Sequence, residues 1–158
     1  MDSTDPASDI TVRQAVLADL PLLAPLFDQY RQFQGQPPDL AAAQRFLRER
    51  FEHGQSVVFM AWRGDTPLGF AQLFPSFSSV SLTRVFILND LFVAAAGRRQ
   101  GLATRLLDAV LAHAWALGAV RVSLNVARNN PEAQALYAAR GWQADTQYIA
   151  FHRYAAQR

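Results

Sequence analysis

Val85-Phe86-Ile87-Leu88-Asn89-Asp90-Leu91-Phe92-Val93, followed after a short link by Arg98-Arg99-Gln100-Gly101-Leu102-Ala103, decides how the chain is read. The first segment is almost continuously apolar, as a strand covered on both faces is. Asn89-Asp90 interrupts it with two polar groups that need a reason. The second segment is a short basic loop running into Leu102, Leu106, Leu107, Val110, Leu111, Ala114 and Leu117, a wide helical stripe that Gly118 stops. Strand, basic glycine loop and helix in that order make an anion site. The first amides of a helix have no partner inside it, and the helix dipole adds positive potential there. Gly101 admits a phosphate to the backbone with no Cβ in the way. Ala103 keeps the next turn open, Thr104 adds a hydroxyl, and Arg98 and Arg99 place two permanent charges at the mouth. Alone, such a loop is weak, because short basic loops are common and most are merely solvated. The chain contains neither Gly-x-x-x-x-Gly-Lys-Ser/Thr nor Gly-x-Gly-x-x-Gly, which leaves a P-loop or a dinucleotide fold unsupported.

Outward from this stretch the pattern alternates strands and helices. Ile10 to Ala15 alternates like a half-buried strand. Asp19 and Pro21 open a helix striped by Leu22, Leu23, Leu26, Phe27 and Tyr30, which Gly35-Gln36-Pro37-Pro38 breaks. Asp39 caps a second helix that ends at Gly54. Ser56 to Arg63 and Leu68 to Phe74 read as a strand pair around a tight turn, then Pro75 to Ser79 as a Ser-rich connection into a long β segment from Val80 to Val93. Val120 to Val126 predicts another strand. Asn130-Pro131-Glu132 opens a last helix, and Trp142 to Tyr154 holds one or two closing strands. Residues 1–8 read as a flexible tail, and 9–158 as a single domain.

Composition sets outer bounds. The 158 residues are 51% hydrophobic and 18% charged, ordinary for one globular domain. A formal net charge of +2 does not suggest a polyanion binder, so no nucleic-acid partner is expected. All 15 basic residues are arginine, which codon bias explains most simply, although guanidinium forks suit phosphate where they cluster. With no cysteine, disulfides, thiolate metal sites and a cysteine nucleophile are excluded. His53, His113 and His152 form no ligand pattern, so no metal is expected. The acidic start is no signal peptide, and no apolar run reaches membrane-spanning length. A cytoplasmic protein with no membrane partner is the expectation.

Specificity comes from a second motif, downstream of the loop at the right distance: Asn130-Pro131-Glu132-Ala133-Gln134-Ala135-Leu136-Tyr137, then Gly141-Trp142. Here the chain resembles the GCN5-related N-acetyltransferase (GNAT) superfamily. That family's phosphate loop has the form Arg/Gln-x-x-Gly-x-Gly/Ala, which Arg98 to Ala103 satisfies. Its downstream signature is Asn-x-x-Ala-x-x-Leu-Tyr followed by Gly-Phe, with Trp142 here in place of Phe. The resemblance implies an α/β fold with a mixed, mostly antiparallel sheet of six to seven strands and about four helices. It implies acetyl-CoA as donor and a primary amine, on a small molecule or peptide, as acceptor, with direct transfer in a ternary complex and no metal. The Leu91-Phe92-Val93 backbone would pair with the pantetheine arm, and the Val93 amide would polarise the thioester carbonyl. Amides from Arg99 to Thr104, with Gln100, Gly101, Leu102 and Ala103 between them, would hold the pyrophosphate. Asn125 and Asn130 would border the cofactor, and Tyr137 would lie near its sulfur. Dimers are common in the superfamily, so a homodimer is possible.

Several of these residues have a second explanation. Asn130 before a proline caps a helix with or without ligand, and Tyr137 lies on a stripe with Ala133 and Leu136. Two helical turns separate Asn130 from Tyr137, placing them on one face. Tyr137 is the expected general acid. Asp90 is the expected proton acceptor or amine anchor, or else a structural carboxylate. Tyr30, Phe33, Asn89 and Asp90 are the expected acceptor-side residues, with Gln36 nearby and Tyr30 alternatively a packing residue. The stretch Phe74 to Val93 also resembles the polyamine and histone-type branch, but that branch carries Glu-Asp where this chain has Asn89-Asp90. The alternative to an enzyme is a non-catalytic acyl-CoA-binding module of the same fold.

Overall fold

A computed structural model describes residues 9–156; the tail expected over 1–8 lies outside the described residues. The chain divides into two compact units, one running to Leu124 and the other from Asn125 on. The first holds a single five-stranded sheet in the order β1 (Ile10–Gln14), β2 (Val57–Arg63), β3 (Thr66–Ser78), β4 (Thr83–Val93), β5 (Val122–Ser123). β1 to β4 pair antiparallel in succession, and β5 joins β4 in parallel. Three helices belong to this unit: α1 (Leu20–Phe33), α2 (Leu40–Glu52) and α3 (Leu102–Ala116). A fourth, α4 (Pro131–Ala139), belongs to the second. No helix among the described residues is long and apolar enough to cross a membrane.

β2 shows how the sheet separates its two faces. Val58, Met60 and Trp62 join Leu20, Leu23, Phe27, Ala43 and Leu47 in one cluster beneath α1 and α2. The alternate residue Phe59 meets His113 of α3 edge-on, with ring centroids 5.5 Å apart. Every residue from Val58 to Trp62 is therefore buried, which is why the run is apolar without alternation. On the far face Leu102, Leu106, Leu107, Val110 and Ala114 are buried along α3, the stripe read from the sequence. Gly69 makes that approach possible: a Cβ there would lie 2.8 Å from the Phe92 carbonyl oxygen and 3.4 Å from Leu106.

Four expectations are corrected. The connection expected at Pro75–Ser79 is mostly strand, since Pro75 pairs with Phe86 and Ser78 with Thr83. β2 has run out by then, its last pairing being Val57 with Leu73. A proline is tolerated where only one ladder has to be made. The strand expected over Val120–Val126 contracts to Val122–Ser123. Asp19 does not cap α1 with its side chain; its carboxylate instead pairs with Arg13 at 2.8 Å and accepts from the Val16 amide at 2.8 Å. The sheet has five strands, not six to seven, because Trp142–Tyr154 forms none. There Asp145 accepts from the amides of Gln147 at 2.9 Å and Tyr148 at 3.0 Å, using donors that a ladder would need. The mixed, mostly antiparallel character and the four helices are as expected.

Because the nearest atom to a Cβ at Gly69 is backbone, Gly69→Ala should force the β3–β4 pair or α3 to shift. We expect a loss of about 1–3 kcal/mol in urea unfolding, as for other overpacked cores; unchanged stability would show that the sheet and α3 are not so closely seated.

Candidate active site

Asn89 is the one residue of β4 without a ladder partner in β3. Gln72 of β3 pairs with Asp90 and the next residue, Leu73, pairs with Leu88, so β4 carries one extra residue between them. Such a bulge changes which face the following side chains occupy. Ahead of it, Phe86 lies against His113 of α3 with centroids 5.8 Å apart. Beyond it, Asp90 and Phe92 share a face with Gln72 and Phe70, under α1. This accounts for two polar residues in an apolar strand: Asn89 is exposed at the bulge, and Asp90 is buried with partners supplied.

Those partners are specific. Gln72 Nε2 donates to Asp90 Oδ2 at 2.6 Å, Asn89 Nδ2 donates to Oδ1 at 3.0 Å, and the Tyr30 hydroxyl donates from α1. Burial nevertheless pushes the Asp90 carboxyl above its ordinary range, against the pull of these three donors. Tyr30 packs edge-on to Phe70 at 5.8 Å and tilts against Phe92 at 6.0 Å, and Phe33 reaches Phe92 at 6.2 Å. Tyr30, Phe33, Asn89 and Asp90, expected from the sequence on the acceptor side, thus come together. Gln72 was not expected there; its only signal is an amide in the otherwise apolar run Leu68 to Leu73.

Where β4 leaves the sheet, the Ala94 amide donates to Leu68 O at 2.8 Å, anchoring the start of the loop to β3. A 3-10 turn, Ala95–Gly97, then leads to Arg98, whose Nε donates back to Val93 O at 3.3 Å. Arg99 has φ 62° and Gly101 φ 72°, two left-handed residues that coil the loop tightly. For an arginine this conformation costs about 1–2 kcal/mol, the kind of strain that collects at functional loops. Gln100 is held from both sides: Nε2 donates to Ala96 O at 3.0 Å, and Oε1 accepts from Arg63 at the end of β2. Nothing in the sequence links Arg63 to a loop 37 residues away, and sequence reasoning misses it.

Among the described residues, no acceptor faces the backbone amides of Arg99, Gln100, Gly101, Leu102, Ala103 and Thr104. The first return bond is Arg105 N–H to Gly101 O at 3.2 Å. A Cβ at Gly101 would meet nothing within 4 Å, so the space beside this residue is open. The Leu102 side chain is buried, leaving its amide as the group it could offer. Alongside, β4 pairs with β5 only through Phe86 and Ile87. From Leu88 to Val93, therefore, that edge of the strand has no ladder partner among the described strands.

In the second unit, Asn130 caps α4, its side chain accepting from the Ala133 amide at 3.1 Å. Tyr137, further along α4, is half-buried and edge-on to Trp142 at 5.7 Å, and burial raises its pKa. Asn125 is exposed.

The chain belongs to the acetyltransferase (GNAT) family, which it matches over residues 22–142, and it is an N-acetyltransferase by that membership. It is 41% identical over 140 residues to YhfO, an uncharacterized N-acetyltransferase of Bacillus subtilis (strain 168), covering 89% of this chain and 94% of that protein. The crystal structure of a probable acetyltransferase, 37% identical, covers 94% of this chain and 99% of its own with a TM-score of 0.88. A more distant likeness is to an aminoglycoside N-acetyltransferase in complex with CoA. At 22% identity and a TM-score of 0.76 over 92% of this chain and 94% of that one, it shows the shared fold.

The raised Asp90 pKa has a consequence for stability. Between the ordinary carboxylate value of 3.8 and Asp90's higher folded value, the native state holds a proton that the unfolded state has lost. Stability attributable to Asp90 is then full at low pH and falls as pH rises through that window. Asp90→Asn removes the titration. Urea melts across pH should show the parent losing stability relative to Asp90→Asn as pH rises; a constant difference would mean the Asp90 carboxyl is not raised.

Proposed function

We propose that the chain transfers an acetyl group from acetyl-CoA to a primary amine by direct attack in a ternary complex. The row of six unpartnered amides from Arg99 to Thr104 carries this reading, because a pyrophosphate is the anion that such a cradle suits. The open edge of β4 supports it, since an extended arm can pair along Leu91-Phe92-Val93 as a strand would. Arg98 and Arg99 add charge at the mouth. Gln100 contributes its amide, its side chain being engaged by Arg63 and Ala96. The family motif assigns Asn130 to the cofactor arm, while it also caps α4, and the likeness to the superfamily places Asn125 at the border of the same cleft.

Bound acetyl-CoA supplies an acyl carbon on a good leaving group. An amine of pKa about 10.4 arrives protonated and must lose that proton before attack. We assign this to Asp90, reached through the Tyr30 hydroxyl or through water, its raised pKa making it a better acceptor than an exposed carboxylate. The nitrogen then bonds to the acyl carbon as the carbon–sulfur bond breaks, and its second proton leaves to water as the neutral amide forms. The thiolate, of pKa about 8.5, takes a proton from Tyr137, which is protonated at neutral pH as tyrosines ordinarily are, and the tyrosinate recovers a proton from water. The Val93 amide is assigned to the carbonyl oxygen. Phe74 to Val93 resembles the polyamine and histone-type branch, and one feature of that likeness is used here, the carboxylate Asp90 ahead of the final Phe-Val.

Thiol release from acetyl-CoA with an amine panel tests the activity; intersecting initial-rate patterns are expected, and parallel ones would exclude direct transfer. Tyr137→Phe should lower kcat by about 100-fold or more with CoA affinity kept, whereas unchanged kcat would remove Tyr137 as the acid. Gly101→Val places a β-branched residue at φ 72° and a side chain on the open face of the loop. CoA binding by calorimetry should weaken at least about tenfold; retained affinity would put the phosphates elsewhere.

A further inference from the structure

The acceptor side carries more ring surface than an amine alone would use. Phe70 forms a floor that is fully buried, while Tyr30 and Phe92 are half-buried above it. Phe33 rests on Phe92 with centroids 6.2 Å apart, yet remains 71% exposed. A lone exposed phenylalanine needs no explanation, but one that extends a cluster of rings adjoining a buried carboxylate is surface for a ligand. Charge narrows the ligand further. Among the described residues, Asp90 is the one acid in this cluster, and its oxygens already accept from Gln72, Asn89 and Tyr30. The next acids on these elements are engaged in holding the fold. Asp28 is buried, accepting from the Asp39 amide at 3.0 Å and from Gln32 at 3.2 Å, and Asp39 caps α2 through the Ala42 amide at 3.1 Å. Arg31, beside Tyr30 in sequence, adds positive charge to the same helix end. Among the described residues of α1, β3 and β4, a second ammonium on the acceptor would find no free carboxylate, whereas one ammonium can lie on aromatic faces with its proton passed toward Asp90.

From this we infer that the acceptor is a monoamine with an aromatic body: its nitrogen turns toward Asp90, and its ring lies on Phe33, Phe92 and Tyr30. Phe33 is then a specificity-determining residue. The inference rests on reading this face as the acceptor site, so its test separates binding from turnover. Phenethylamine, butylamine and putrescine are titrated calorimetrically into the full chain, and the same three are offered with acetyl-CoA while thiol release is followed. Phenethylamine should bind about tenfold more tightly than either aliphatic amine, the scale of one ring-on-ring contact with its buried area. Phe33→Ala should bring that ratio close to one, and Phe33→Tyr should keep it. Putrescine binding as well as phenethylamine, the ratio surviving in Phe33→Ala, or none of the three binding would each overturn the inference. Selective phenethylamine binding without thiol release would uphold the inference and contradict acetyl transfer. Thiol release with the aliphatic amines alone would do the reverse.

Discussion

One residue, Asn89, has no place in the ladder between β3 and β4, and the faces of β4 change sides across it. In a regular strand Asp90 would fall on the side of Leu88 and Phe86, against α3, where the neighbours are His113 and apolar side chains. A carboxylate there would lose its hydration with nothing in return, at a cost of several kcal/mol or by staying protonated. With the extra residue, Asp90 turns under α1 and meets donors from three places: the opposite strand, the bulge itself and Tyr30. Phe92 turns with it and completes the ring cluster. The bulge is thus what allows one strand to serve α3 with its first half and a polar site with its second.

The loop beyond β4 depends on a comparable arrangement. A second bulge, at Leu68 of β3, interrupts the pairing with β2, and the Leu68 carbonyl takes the Ala94 amide as the chain leaves the sheet. Arg63 then holds Gln100, and the left-handed Arg99 and Gly101 turn the backbone so that successive amides from Arg99 to Thr104 have no acceptor. Unpartnered amides on a surface are satisfied by water, so the loop need not be unstable without ligand. What the fold supplies is a loop already held by Leu68 and Arg63 with these amides unused, and for the phosphate site proposed here that is where a preorganised site gains its affinity.

The sequence made the loop and α3 legible because both follow local rules: an apolar stripe at helical spacing, a glycine at the cap, arginines at the mouth. Asp39 and Asn130 were readable as caps for the same reason. Asp19 was not, because Arg13 competes for its carboxylate across the turn. What escaped was whatever depends on pairing. One or two closing strands were expected over Trp142 to Tyr154, but a strand exists only with a partner, and Asp145 diverts the amides. Pro75 suggested a connection until the end of β2 at Val57 explained it. The residues proposed for the acceptor side could be named from the family pattern, yet the bulge that joins them, the support from Gln72 and the reach of Arg63 are properties of register that no single stretch encodes.

The backbone amides, observed by NMR while CoA is added, provide the most direct test. Shifts should concentrate on Arg99 to Thr104 and on the free edge of β4 near Val93, where unpartnered N–H groups acquire an acceptor. Shifts centred elsewhere, with the amides from Arg99 to Thr104 unmoved at saturation, would contradict the phosphate site and the cofactor arm assigned to this loop and strand.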